Sequence, residues 1–330
     1  MTDDYLWDRS GEPDTEVQRL EALLSRYRHR APLRIRPRRV SWRPAARIAI
    51  AALIIVGVFP AYLALLPRLG QPGQVWPVTA LSGTPSIDGA PVSGPAGLRI
   101  GQVLRTNAAS RAEIRAGKLG RVIVEPNSVI RLVESGRDRH RLSLERGQIS
   151  ARLWSPPFVV SFATPAAVVT DLGCAFTLEV GRAGEDIVHV TSGWVDFEWD
   201  DRQELIPAGA AAIAVAGAGP GTAFFDDASE ELKSALRDIN FGPADHRQAL
   251  ERALRGARPR DVYSLLRLSI RLNAEERGLI YDRASQLVPP PSGVTRQAFI
   301  DRESGALDRW VDSLGLGSAK RWWVHWRDVL

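Results

Sequence analysis

In 330 residues the sequence has one cysteine, Cys174. That excludes an internal disulfide framework and any thiolate metal cluster. Its five histidines, at 29, 140, 189, 246 and 325, include no pair at the spacing that puts two ligands on one helical face. The chain lacks a Gly-x-Ser-x-Gly elbow, a Walker loop, a His-Glu-x-x-His helix and an EF-hand loop. The acid pairs Asp200–Asp201 and Asp226–Asp227 are adjacent in sequence, so in a strand they point to opposite faces and form no dyad. Cys174 has no visible base nearby and reads as a buried structural residue. His189 reads as a half-buried strand residue. No enzyme activity, cofactor or metal is expected. At 45% hydrophobic and 25% charged, the chain is neither disordered nor collagen-like as a whole. Its function is expected to lie in what it touches.

Charge is unevenly placed. Residues 1–25 carry seven acids and two arginines, and 26–47 carry nine arginines and no acid. Residues 48–67 then run for 20 positions without a charge. At about 1.5 Å per residue, such a run matches the roughly 30 Å hydrocarbon core, and Pro60 inside it is tolerated in a span. The segment begins too far in and is too long for a cleaved signal peptide. The preceding arginines place the N-terminus in the cytoplasm and 68–330 outside. The expected location is the inner membrane of a bacterium, with the C-terminal domains periplasmic.

The expected fold is a single-pass membrane protein with an all-β extracytoplasmic domain, a stacked sandwich or solenoid-like array, followed by an α-helical C-terminal domain. Its expected parts are a cytoplasmic segment at 1–44, a transmembrane helix at 45–67, a Gly/Pro-rich linker at 68–95, a β-domain at 96–220 and a helical domain at 226–330. Short β-branched or alternating runs separated by turns recur over 98–215. Periodic helical faces fill 226–330, including Leu232 with Leu236 and Val262 with Leu265 and Leu266. Trp310, Trp322, Trp323 and Trp326 mark the helical end, as core packing or as a recognition surface.

The β region carries a motif series in a fixed order. Thr106, Ser110, Ala112 and Ile114 follow the strand at 102–104, and a turn at Asn127-Ser128 precedes Val129. Leu144, Gly147 and Ile149 come next, then Phe162, Thr164 and Pro165. Residues 168–176 hold Asp171-Leu172-Gly173-Cys174-Ala175-Phe176, and 188–195 close the series with Gly193. Over about 100 residues this resembles the FecR-like domain of bacterial transmembrane regulators, with Cys174 where threonine is usual. Gly147, Gly173 and Gly193 suit turns or close backbone approach, and Thr164-Pro165 restricts the chain leaving a strand. Leu172, Phe176 and Val190 are candidate core residues. The resemblance implies a stacked β-fold and signalling across the inner membrane. The helical tail departs from the small α/β module of many members, so an iron-siderophore input is not implied. The zinc-binding anti-sigma motif is also missing.

The same family often carries a cytoplasmic anti-sigma segment, and residues 1–30 are compatible with one. Tyr5, Leu6 and Trp7 begin it. A helix follows with Val17, Leu20, Leu23, Leu24 and Tyr27 along one side. An acidic amphipathic helix suits the basic surface of an extracytoplasmic-function sigma factor, and these eight residues are the candidate partner-binding set. The expected function is therefore a transmembrane transducer that regulates such a sigma factor in response to an envelope signal. The alternative is an anchored envelope protein that binds a glycan or another protein through its outer domains. Direct nucleic-acid binding by the arginine run is the weakest reading, because topology already explains those arginines.

Overall fold

The computed structural model describes residues 15–25, 75–181, 184–242 and 246–317. The chain divides into two units, Met1–Gly70 and Gln71–Leu330. In the first, the described part is one helix, α1 (Thr15–Ser25).

The second unit opens with eighteen strands, β1–β18 in chain order, in two sheets that share one long strand. The first sheet runs β4 (Ala96–Leu98), β1 (Trp76–Ser82), β6 (Arg111–Arg115), β7 (Gly120–Val124), β9 (His140–Leu153), β12 (Ala175–Val180), β13 (Glu185–Ser192) and β16 (Ala210–Val215). Short β17 (Gly219–Pro220) and β18 (Phe224–Phe225) pair with β16. The second sheet runs β3 (Ala90–Pro91), β2 (Ser86–Ile87), β5 (Val103–Arg105), β8 (Val129–Ser135), β9, β10 (Val160–Ala163), β11 (Val168–Asp171), β14 (Trp194–Trp199) and β15 (Arg202–Pro207). All these pairs are antiparallel except β9 with β10.

The sequence of β9 explains how one strand serves two sheets. Its buried residues are His140, Leu142 and Leu144 in the first half and Ile149, Ala151 and Leu153 in the second. The parity flips from even to odd. A strand keeps one parity per face, so both halves reach the core only if a residue is absorbed between them. The register against β8 shifts between Leu144 and Arg146, where Glu145 is the extra residue, and just beyond it Gly147 turns at φ +89°, where a Cβ would lie 2.3 Å from Ser128 Oγ. The Ser128 hydroxyl accepts from the Gln148 N–H at 2.9 Å and closes the corner. One apolar cluster, with Trp76, Leu98, Ile114, Leu132, Phe162, Phe176 and Phe197, fills the β body.

Helices follow: α2 (Glu230–Phe241), α3 (Arg247–Gly256), a 3₁₀ turn (Pro259–Asp261), α4 (Val262–Ser269), α5 (Ala274–Leu287), α6 (Arg296–Ile300) and α7 (Ala306–Ser313). Ser229 caps α2 through the Leu232 N–H, and Asn273 with Glu276 forms a reciprocal capping box on α5. Trp310 is fully buried, with its ring 5.2 Å from that of Tyr281 and 5.6 Å from that of Phe299. That position is core packing, not a recognition surface. Trp322, Trp323 and Trp326 lie outside the described residues.

Several expectations are corrected. The single-pass membrane fold is not what the described chain shows. Among the described residues no helix is long and apolar enough to cross a membrane. The 14 residues of α5 reach only about 21 Å at 1.5 Å per residue, short of a span. The run at 48–67 lies outside the described residues. The segment 68–95, expected as a linker, holds three strands from Trp76 on. Trp76 and Val78 are each 1% exposed, and the Trp76 indole donates to Ser135 Oγ at 3.0 Å. Asp88-Gly89, at φ 49° and 86°, forms a two-residue hairpin turn between β2 and β3. The β body therefore begins some 20 residues before 96. At its other end β16, Ala-Ala-Ala-Ile-Ala-Val, continues the first sheet within the expected β-domain. Finally, the β and α parts form one unit with shared apolar contacts, through Tyr263, Val311 and Leu314.

Candidate partner-binding site

The acidic N-terminal helix α1 (Thr-Glu-Val-Gln-Arg-Leu-Glu-Ala-Leu-Leu-Ser) has Glu16 in its first turn, where the helix dipole favours an anion. Val17, Leu20 and Leu24 fall at i, i+3 and i+7, with Leu23 beside them, so they share one stripe. None of its residues is buried. Leu20, Leu23 and Leu24 are 56%, 55% and 62% exposed, and Val17 is half-buried. Tyr5, Leu6, Trp7 and Tyr27 lie outside the described residues. An 11-residue helix is marginal alone in water. Covering the stripe would add about 1.5–3 kcal/mol per fully buried leucine. The helix thus offers an apolar ridge flanked by acids and has no chemistry of its own.

The motif residues of the β body sit elsewhere and serve packing. Phe162 and Phe176 face one another edge-on across the core, centroids 5.6 Å apart. Thr164 Oγ1 donates to the Ala167 carbonyl at 2.7 Å and accepts from its N–H at 3.0 Å, closing the Thr164-Pro165 turn between β10 and β11. A Cβ at Gly193, which has φ +73°, would lie 2.3 Å from the Gly173 carbonyl oxygen. Leu172 is buried beside them.

Around that crossing lies a buried carboxylate. Asp171 Oδ1 accepts from the N–H groups of Gly173 and Cys174 at 3.1 and 3.0 Å, and from the Cys174 thiol at 2.6 Å. Its Oδ2 accepts from Ser155 Oγ at 2.5 Å. Burial still dominates these four donors and pushes the Asp171 carboxyl up to about 6. Burial and the Asp171 charge raise the Cys174 thiol well above its ordinary value. A thiol held protonated and enclosed is no nucleophile.

One cluster escaped sequence reasoning altogether. β15 pairs with β14 on one side, and α4 meets its other side. Tyr263 Oη donates to the Leu205 carbonyl at 2.5 Å, and Arg267 Nη2 donates to the Gln203 carbonyl at 3.1 Å. Four helical residues rise about 6 Å and two strand residues about 6.7 Å, so i, i+4 on the helix matches i, i+2 on the strand. Buried Glu204 accepts from Arg267 Nε at 3.2 Å and from the Ala223 N–H at 3.1 Å, and Arg271 Nη2 stands 3.7 Å away. Asp196, 3% exposed, accepts from Gln203 Nε2 at 2.8 Å, and burial raises its carboxyl to about 6. The signal was present in Tyr263 and Arg267, four residues apart on α4, and in Arg271 four residues further on, just past its end. The joint is structural, since side chains from the helix satisfy the open strand edge. Among the described residues no group of three His, Cys, Asp or Glu side chains is placed to hold a metal ion.

No family model matches the chain, and no curated protein matches it. It is similar to two crystal structures of a "putative anti-sigma factor" from Parabacteroides distasonis, at 1.65 and 2.50 Å resolution. The first match has 15% identity and a TM-score of 0.33, and covers 42% of this chain and 65% of that one. The second has 17% identity and the same TM-score, and covers 46% of this chain and 73% of that one. The matched part thus spans less than two thirds of the first neighbour. Both names are of the anti-sigma-factor type, and neither names a FecR-like domain. At this TM-score the likeness carries no argument about what this chain does.

Proposed function

We propose that this chain is a regulatory protein of the anti-sigma-factor type, whose N-terminal segment binds an extracytoplasmic-function sigma factor through α1. The observation that carries this reading is the uncovered leucine stripe on an acidic helix. Leu20, Leu23 and Leu24 are all more than half exposed on a helix too short to be stable alone. Such a ridge fits the helix-in-groove mode of recognition, in which apolar anchors give affinity and flanking charges steer the encounter. The acids around it suit the basic surface with which a sigma factor meets DNA. The motif resemblance over 98–198 supports assigning the β body to a FecR-like sensing role, in which it reads an envelope signal and changes the availability of α1.

The test is binding of the purified full chain to the sigma factors of its host, with Leu20→Asp/Leu24→Asp as the comparison. The proposal expects one sigma factor to bind, and binding to fall at least about tenfold in the double variant. Equal binding by the variant and the parent would remove α1 as the contact. Failure to bind any sigma factor at low and moderate salt would remove the regulatory reading.

A further inference from the structure

The β body carries a second surface with no role in its own packing. On the outside of the first sheet, Arg115 of β6 stands directly opposite Arg121 of β7, which stands directly opposite Arg152 of β9. All three are exposed. Like charges directly opposite one another destabilise a sheet. Arg115 has a partner in Glu113 Oε1 at 2.6 Å. Among the described residues Arg121 and Arg152 have no ion pair. The row continues on Ala175 and Ser192, side chains too small to shade Arg152. Exposed Lys118 lies in the turn between β6 and β7.

The chain that leaves β9 past this row carries two aromatic rings that face solvent. The Trp154 backbone N–H donates to the Leu119 carbonyl at 2.7 Å, which seats Trp154 two residues past Arg152 at the end of the β7–β9 pairing. Trp154 is 49% exposed, and Phe158 is 65% exposed. The loop between them is rigid. It contains Pro156-Pro157, its Ser155 hydroxyl is buried on Asp171, and the Phe158 N–H donates to the Asp171 carbonyl at 3.0 Å. Phe158 is held at φ +67°, a left-handed conformation that a bulky side chain adopts only when its surroundings over-determine it. The molecule therefore fixes an exposed ring in a strained backbone, four residues along the chain from Trp154.

We infer that the Arg115–Arg121–Arg152 row and the Trp154–Phe158 loop form a docking surface for a second protein, through a segment bearing carboxylates and an apolar side chain. Charge complementarity selects an acidic partner. Composition selects a protein, because aromatic rings and arginines are the residues enriched at protein interfaces and their hot spots. The guanidinium fork binds carboxylates in pairs, and the rigid loop has little entropy left to lose on docking. This surface is independent of α1 and of the sigma-factor reading.

The test is fluorescence anisotropy with the full chain and three labelled probes, a short peptide alternating Glu and Leu, polygalacturonate, and oligothymidylate. The variants are Arg121→Gln/Arg152→Gln and Trp154→Ala, all at exposed positions, with thermal midpoints to confirm folding. The inference expects the peptide to bind best, more weakly as salt rises, and about tenfold more weakly in each variant. Tighter binding of polygalacturonate or oligothymidylate would overturn the protein partner. Absence of peptide binding, or peptide binding unchanged in both variants, would overturn the surface itself.

Discussion

At the scale of single residues, the consequential groups are small or buried. Gly193 packs against the Gly173 carbonyl with room for a hydrogen only, at a positive φ. Gly193→Ala is expected to cost more than about 2 kcal/mol, read from the denaturant midpoint. Asp171 and Asp196 carry the pH dependence. Both are acids whose folded value, about 6, lies above the unfolded one. The native state therefore binds more protons than the unfolded chain between about pH 4 and 6, and stability falls as pH rises through that window. Each group's contribution is present below the unfolded value and is lost by the time pH passes 6. At 1.36 kcal/mol per unit, each amounts to at most roughly 3 kcal/mol. Asp196→Asn keeps a carbonyl for Gln203 and is expected to flatten the fall between pH 4 and 7 in chemical denaturation. A parental slope kept in the variant would assign the dependence elsewhere.

At the scale of elements, the joint between β15 and α4 decides how the α part is held. Tyr263→Phe removes one donor from a strand carbonyl and is expected to cost about 1 kcal/mol. Arg267→Ala leaves buried Glu204 with Arg271 at 3.7 Å as its remaining cation and is expected to cost about 3–5 kcal/mol. A thermal scan of the two variants gives the order directly, and a larger loss for Tyr263→Phe would contradict the assignment of Glu204 as the dominant group. α1 behaves in the opposite way. It contributes no buried residue, so Leu20→Asp should leave the melting midpoint of the chain unchanged.

Much at this scale was legible in the sequence, and what was not has physical causes. Strands such as β12, β13 and β14 alternate clearly, and α5 announces itself through Asn273 and Glu276. β1 was hidden because Trp76-Pro77-Val78 sits in a stretch whose glycines and prolines read as a tether. Gly83, Gly89 and Gly94 in that stretch lie in the bends and turns between short strands, with Asp88-Gly89 the plainest signal. β16 falls inside the expected β-domain although alanine favours helix, and burial between neighbouring strands keeps this alanine run extended. β9 reads as two runs because its apolar parity changes between Leu144 and Ile149, although one strand continues from one sheet into the other. The candidate contact residues on α1 were legible through their helical period. The arginine row was not, because Arg115, Arg121 and Arg152 are neighbours only after register is set.

At the scale of the whole molecule, the β and α parts form one unit, and the other holds the short helix α1, the proposed contact element. The central claim is that α1 is ordered by a sigma factor. The most direct measurement is amide hydrogen exchange of the full chain, alone and with each host extracytoplasmic-function sigma factor. The account predicts fast exchange over residues 15–25 in the free chain and strong protection there with one sigma factor, absent in Leu20→Asp/Leu24→Asp. Exchange over 15–25 that no sigma factor alters would contradict it.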